Sequence, residues 1–317
     1  MLPLLADQAA AAQRALPAEV WGYLAGGAQD EVSVAEATAA WQAVRLRPRV
    51  LRDVSAVSTA LTLLGTTLRT PVLVGPTASH GRLHPEGEAA TARGTGEAGS
   101  LLVLSSRSST PVAELACEGP WWWQAYVLRD RAATLELALG ARAAGAGAVV
   151  VTGDTPYLGS ARRPALGELE QDPAATLDVI AWLAAETDLP VLVKGVLRGD
   201  DAQACLEAGA AGVVVSNHGG RQLDRAVSTA AALPEVVAAV AGRAPVLVDG
   251  GLRSGLDVLC ALALGADAVL LGRPVMWALA AGGAEGVASC LSAITEQLAH
   301  VMGLAGCPSL AEVRSLS

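Results

Sequence analysis

His218 and Arg221 stand three residues apart in the stretch Ser216-Asn217-His218-Gly219-Gly220-Arg221-Gln222-Leu223-Asp224. A base that titrates near neutral pH beside a permanent cation suits an anionic substrate from which a proton must be taken. The apolar run Gly212 to Val215 precedes them and reads as a buried strand, because valine fills it. Two glycines then turn the chain tightly, so both side chains fall just past a strand end. A second group has a different chemistry. Asp249-Gly250-Gly251-Leu252-Arg253 and Gly272-Arg273-Pro274 each follow an apolar run. Glycines expose backbone N–H groups there and two arginines add charge, which fits a phosphorylated ligand. Spacing alone leaves open a cofactor, a phosphosugar substrate, or arginines that merely pair with helix carboxylates.

The elements that must position these residues form a rhythm. Strand-like runs occur at Pro71–Pro76, Leu101–Ser106, Trp122–Val127, Ala148–Asp154, Pro190–Val196, Gly212–His218, Pro245–Gly251 and Ala268–Pro274, with Ala/Leu-rich helical segments between them. Eight strands alternating with helices predict a parallel sheet closed as a TIM (β/α)8 barrel. The junctions Gly145-Ala146-Gly147, Gly209-Ala210-Ala211 and Gly265-Ala266-Asp267 repeat one unit, a helix ended by glycine before a strand. The expected organisation is one domain over 1–317. It comprises a helical cap at 1–45, the barrel at 70–290 and a C-terminal helical segment at 291–317. Chemistry in such a barrel collects at the strands' C-terminal ends. Those ends carry Pro76, Thr77 and Ala78, then Ser105 and Arg107, Gln124 and Tyr126, Thr152 and Asp154, and Lys194.

Composition removes several function classes. The net charge is −9, and no basic run exists, so nucleic acid and anionic membrane are poor partners. No apolar run is expected to reach the length of a membrane span. The cysteines number five, are scattered and form no CxxC, which predicts reduced thiols rather than disulfides or a metal site. The first residues lack a basic region followed by an apolar block. The last, Arg314-Ser315-Leu316-Ser317, are not of the Ser-Lys-Leu type. The expected location is the cytoplasm.

The nonapeptide Ser216–Asp224 resembles the signature of the FMN-dependent α-hydroxy-acid oxidases and dehydrogenases, and the resemblance runs from about Leu16 to about Leu310. It implies FMN as the cofactor. The matching residues are Pro76, Thr77, Ala78, Ser105, Gln124, Thr152, Lys194, Ser216, Asp249, Gly250, Gly251, Arg253, Gly272 and Arg273. Gln124 and Thr152 suit the polar edge of the flavin, and Asp249 the ribityl hydroxyls. The cation of Lys194 suits negative charge growing on the reduced ring. The resemblance implies His218 as the base, oriented by Asp154, with Arg221 clamping a substrate carboxylate. Tyr126 and Tyr23, the latter in Trp21-Gly22-Tyr23-Leu24, then contact the substrate. His80 and His84 are weaker candidates for the base. The implied reaction turns a 2-hydroxy acid into a 2-oxo acid, with O2 or another acceptor taking the electrons. A homo-oligomer, a tetramer in many members, is expected.

Three departures accompany the resemblance. Strict register puts Ala161 where a second carboxylate-binding arginine usually stands, leaving Arg162 or Arg163 as replacements. The segment from Asp154 to Lys194 is shortened, so the loop after strand four covers the pocket less. Arg107 replaces a residue that is usually hydrophobic or aromatic, and suits an acidic or extended substrate. Gly272-Arg273-Pro274-Val275-Met276-Trp277 looks most like the hydroxymandelate oxidases, which favours an aryl or bulky substrate. A dehydrogenase, a decarboxylating monooxygenase, a phospho-isoprenoid isomerase and an FMN-binding protein without turnover remain as alternatives.

Overall fold

In the computed structural model, described residues are 1–115, 117–157, 159 and 171–316. The chain opens with three helices, α1 (Pro3–Ala15), α2 (Ala18–Ala25) and α3 (Val32–Gln42). A short antiparallel hairpin follows, β1 (Leu61–Leu63) with β2 (Thr66–Leu68). Then come the parallel strands β3 (Val72–Val74), β4 (Leu102–Ser105), β5 (Trp121–Ala125) and β6 (Val149–Thr152). They are joined by β7 (Val191–Val196), β8 (Gly212–Val215), β9 (Val246–Val248) and β10 (Ala268–Leu271). These eight close on themselves, β10 pairing with both β3 and β9. The expected barrel is therefore present.

Strand alternation sorts the side chains. Val72, Val74, Leu102, Leu104, Val149, Val151, Val213 and Val215 belong to the core between strands and helices. Leu73, Val103, Trp122, Val150, Leu192, Val214, Leu247 and Leu270 fill the barrel interior. Leu63 and Leu68 of the hairpin join that interior cluster, so β1 and β2 plug the end where the strands begin. Continuing the same period by two residues gives the layer at the other end. It consists of Gly75, Ser105, Gln124, Thr152, Lys194, Ser216, Asp249 and Gly272, which is polar or glycine throughout. The interior is thus dry below and polar above, and the site can form at one end only.

The repeated glycines act as expected. Gly145, Gly209 and Gly265 have φ of 95°, 95° and 103°, ending helices in a region that disfavours side chains. One expectation needs correction. The helix Arg273–Leu304 is 32 residues long and contains an 18-residue window of mean hydropathy 1.3, which satisfies the length and composition of a membrane span. The sequence pattern hid this because Gly282 and Gly283 interrupt it with non-helical angles. The helix buries Val275, Met276, Leu279, Leu291, Ile294 and Leu298 in the protein core. It also crosses residue 290, where barrel and C-terminal segment were expected to part.

Candidate active site

The signature turn is built from three successive residues of positive φ: His218 at 57°, Gly219 at 62° and Gly220 at 72°. A histidine in this region is strained, and the turn compensates with hydrogen bonds. The His218 N–H donates to Ser216 Oγ at 3.0 Å, and the Gly220 N–H donates to Asn217 Oδ1 at 3.2 Å. Asp224 fixes the far end of the stretch, accepting N–H groups of Asp30, Val32 and Ser33 at the start of α3. The Ser33 N–H foremost, with other backbone donors, holds its carboxyl below the usual carboxylate range. The signature and the cap helix are therefore one structural unit.

His218 Nδ1 lies 2.9 Å from Asp154 Oδ1. Its Nε2 makes no hydrogen bond among the described residues, and His218 lines a cavity at the C-terminal rim of the barrel. Burial raises the carboxyl pKa of Asp154, but the imidazole opposite and the Lys194 cation reverse this, and the net value falls below the ordinary one. An ionised carboxylate on Nδ1 fixes the imidazole's tautomer and leaves Nε2 as the basic nitrogen. Gly195 makes the pair possible. Its φ is 109°, and a Cβ there would sit 2.6 Å from Asp154 Cβ. The sequence signal was a glycine inside a strand, Lys194-Gly195-Val196, which marks a close approach.

Arg221 packs its guanidinium over the Tyr23 ring at 4.5 Å. Its Nη1 donates to the Tyr23 and Gly26 carbonyls at 2.7 and 2.9 Å. Nε and Nη2 make no hydrogen bond among the described residues, leaving a two-donor edge for a carboxylate. Tyr126 also lines the cavity. Burial raises its phenol pKa against the opposing pull of Arg107 and Lys194, so the hydroxyl stays protonated and can donate.

The polar layer is linked laterally. Ser105 Oγ donates to Gln124 Oε1 at 3.1 Å, and Gln124 Nε2 donates to Thr152 Oγ1 at 2.9 Å. Lys194 Nζ donates to Ser216 Oγ at 2.8 Å and lies 3.2 Å from Asp249 Oδ2. Burial lowers the lysine pKa, yet Asp249 and Asp154 raise it more, so the net value lies above the ordinary one. This layer floors the cavity. Pro76, Thr77, Ala78, Ser105, Lys194, Asp249, Gly250, Gly251, Arg253, Gly272 and Arg273 line the cavity. Gln124, Thr152 and Ser216 stand beside them in the same inward-facing layer, with a Gln124 N–H and the Thr152 hydroxyl proton still free to donate. Arg162 lies outside the described residues.

Arg253 and Arg273 make no ion pair among the described residues, so the pairing with helix carboxylates fails. Arg273 instead donates to the Leu24, Gly26 and Gly219 carbonyls at 3.1, 2.9 and 3.0 Å, tying the cap to the signature turn. Arg253 stacks over Trp277 at 5.1 Å. Burial lowers the Arg253 pKa to about 10, and burial with Arg221 and Arg253 nearby lowers that of Arg273 to about 9. Buried guanidinium groups without a counter-charge mark an anion site. Gly250 and Gly251, at φ of 85° and 83°, complete it. Trp41, unmarked in the sequence, donates to the Gly250 carbonyl at 2.6 Å and closes α3 against this turn. The donor set fits FMN: an anion site, backbone glycines, and Asp249 Oδ1 buried without a partner, ready to accept from a hydroxyl. His80 is not available as a base. It is buried, its ring nitrogens meet Thr91 and Thr77, and burial lowers its pKa.

Comparison with known proteins agrees with this geometry. The family model described as FMN-dependent dehydrogenase matches residues 12–169 and 160–316. A peroxisomal (S)-2-hydroxy-acid oxidase of Oryza sativa subsp. japonica is 42% identical over 335 residues, covering 95% of this chain and 92% of that protein. The 4-hydroxymandelate oxidase of Amycolatopsis orientalis is 42% identical over 346 residues, covering 99% and 97%. A crystal structure of mandelate oxidase superposes with a TM-score of 0.94 at 44% identity, covering 99% of this chain and 97% of that one. With barrel, signature and anion site all in place, the chain belongs to the FMN-dependent dehydrogenase family.

Proposed function

We propose that the protein oxidises a 2-hydroxy acid to the 2-oxo acid, using FMN held at the C-terminal rim of the barrel. One observation carries this: His218, held by Asp154, and Arg221 border the same cavity as the anion site. Arg221 holds the substrate carboxylate through Nε and Nη2. Tyr23 and Tyr126 hydrogen-bond the carboxylate or hydroxyl. His218 Nε2 takes a proton from the substrate, and Asp154 stabilises the imidazolium. The substrate loses two hydrogens, one from the hydroxyl and one from the α-carbon. Bound FMN supplies the acceptor for the two electrons released, and Lys194 places a positive charge where negative charge grows.

The names of the relatives support O2 as the final acceptor and a bulky, aryl-tolerant pocket. The five free cysteines fit a reducing cytoplasm, and we expect a homo-oligomer. The test is aerobic turnover of FMN-loaded protein on a panel of (S)-2-hydroxy acids, with identification of the organic product and of hydrogen peroxide. A 2-oxo acid and peroxide in equal amounts support the reading. A decarboxylated product, or a dye required in place of O2, would replace it by the monooxygenase or dehydrogenase alternative.

A further inference from the structure

Arg107, just past β4, borders the same cavity as His218 and Arg221. Its guanidinium lies over the Tyr126 ring at 5.0 Å. Its Nε and Nη2 are both buried and have no hydrogen-bond partner. Arg107 also makes no ion pair among the described residues. These two nitrogens form one edge of the guanidinium, and their N–H groups point the same way. That edge matches the two oxygens of a carboxylate. Buried donors left unpaired are costly, and more so on a charged group. Arg221 shows the same arrangement: stacked on Tyr23, with the Nε–Nη2 edge unused. The pocket therefore has two cationic forks, each held by a tyrosine ring, and one α-carboxylate satisfies only one of them. Asp154 pairs with His218 and Asp249 with Lys194, and neither carboxylate forms an ion pair with Arg107.

We propose that Arg107 recognises a second carboxylate, so that preferred substrates are 2-hydroxy acids bearing an additional acidic group at the end remote from the hydroxyl. Arg221 grips the carboxylate next to the reacting carbon, and Arg107, turning slightly about its terminal torsions, grips the distal one. The remainder of the substrate, aliphatic or aryl, spans the space between. This rests on the hydroxy-acid reading above.

The experiment uses FMN-loaded wild type, Arg107→Leu and Arg107→Lys, each checked for FMN content. Malate, 2-hydroxyglutarate and 4-carboxymandelate are compared with lactate and mandelate by anaerobic flavin bleaching. Binding of 2-oxoglutarate to the oxidised holoenzymes is measured by calorimetry, which reads affinity without turnover. Wild type should favour at least one diacid over its monoacid counterpart. Arg107→Leu should weaken that diacid and 2-oxoglutarate about ten- to a hundredfold while changing lactate and mandelate less than about threefold. Arg107→Lys, which keeps charge but loses the fork, should fall between. Equal loss for monoacids and diacids would show that Arg107 grips the α-carboxylate, and overturns the proposal while leaving the oxidase reading intact. Unchanged diacid binding in Arg107→Leu also overturns it. If no acid of either kind bleaches the wild-type flavin, the hydroxy-acid reading itself fails.

Discussion

The catalytic pair owes its chemistry to where Asp154 is placed. Its carboxyl pKa, which burial raises but His218 and Lys194 bring below the ordinary value, has a consequence for stability. A group whose folded value is depressed contributes stability above its unfolded value, near 3.8, and loses that contribution as pH falls through the folded value. Asp154→Asn should therefore be less stable than wild type at pH 7, and the gap should close below about pH 4. Urea midpoints measured across that range check this; a gap that widens in acid would contradict it. Sequence showed the residue types here but not their neighbours. His218 and Arg221 were legible because they bracket glycines at a strand end. The unpaired edge of Arg107 was not, since only the fold brings it over Tyr126.

At the level of elements, period-two alternation explains why so much was readable. The strands' inward positions run apolar, apolar, polar, so the rim layer could be counted from the sequence. What alternation cannot show is which rim residues face the ligand and which satisfy one another. Gln124 and Thr152 hydrogen-bond each other at 2.9 Å across adjacent strands, a link that no spacing in the sequence announces. The hairpin β1–β2 was missed because three-residue strands carry no period. Asp224 and Trp41 were missed as anchors because their partners lie on the cap or on a turn far along the chain. Gly195 offers the sharpest test at this scale. Gly195→Ala places a Cβ against Asp154 in a conformation that costs about 1–3 kcal/mol for a side chain. Turnover should fall more than tenfold through displacement of Asp154, while FMN content stays near wild type. An active, fully stable variant would show that the contact yields.

The whole molecule is acidic, at −9, yet its cavity gathers Lys194, Arg107, Arg221, Arg253 and Arg273. Such a mouth draws anions inward, and added salt screens it. The second-order rate of flavin reduction by a hydroxy acid should decline as ionic strength rises from 0.01 to 0.5 M, and a flat profile would argue against steering. FMN also neutralises buried guanidinium groups, so its removal should lower the melting temperature by several degrees; at a thousand times Kd, binding contributes about 4 kcal/mol. The central claim is that His218, held by Asp154, takes the substrate proton at this rim. Anaerobic stopped-flow mixing of wild type and His218→Ala, both loaded with FMN, with the best hydroxy acid from the panel tests it most directly. Wild type should bleach, and the variant should stay yellow or bleach about 10²–10⁴ times more slowly. Equal rates in the two proteins would contradict the account.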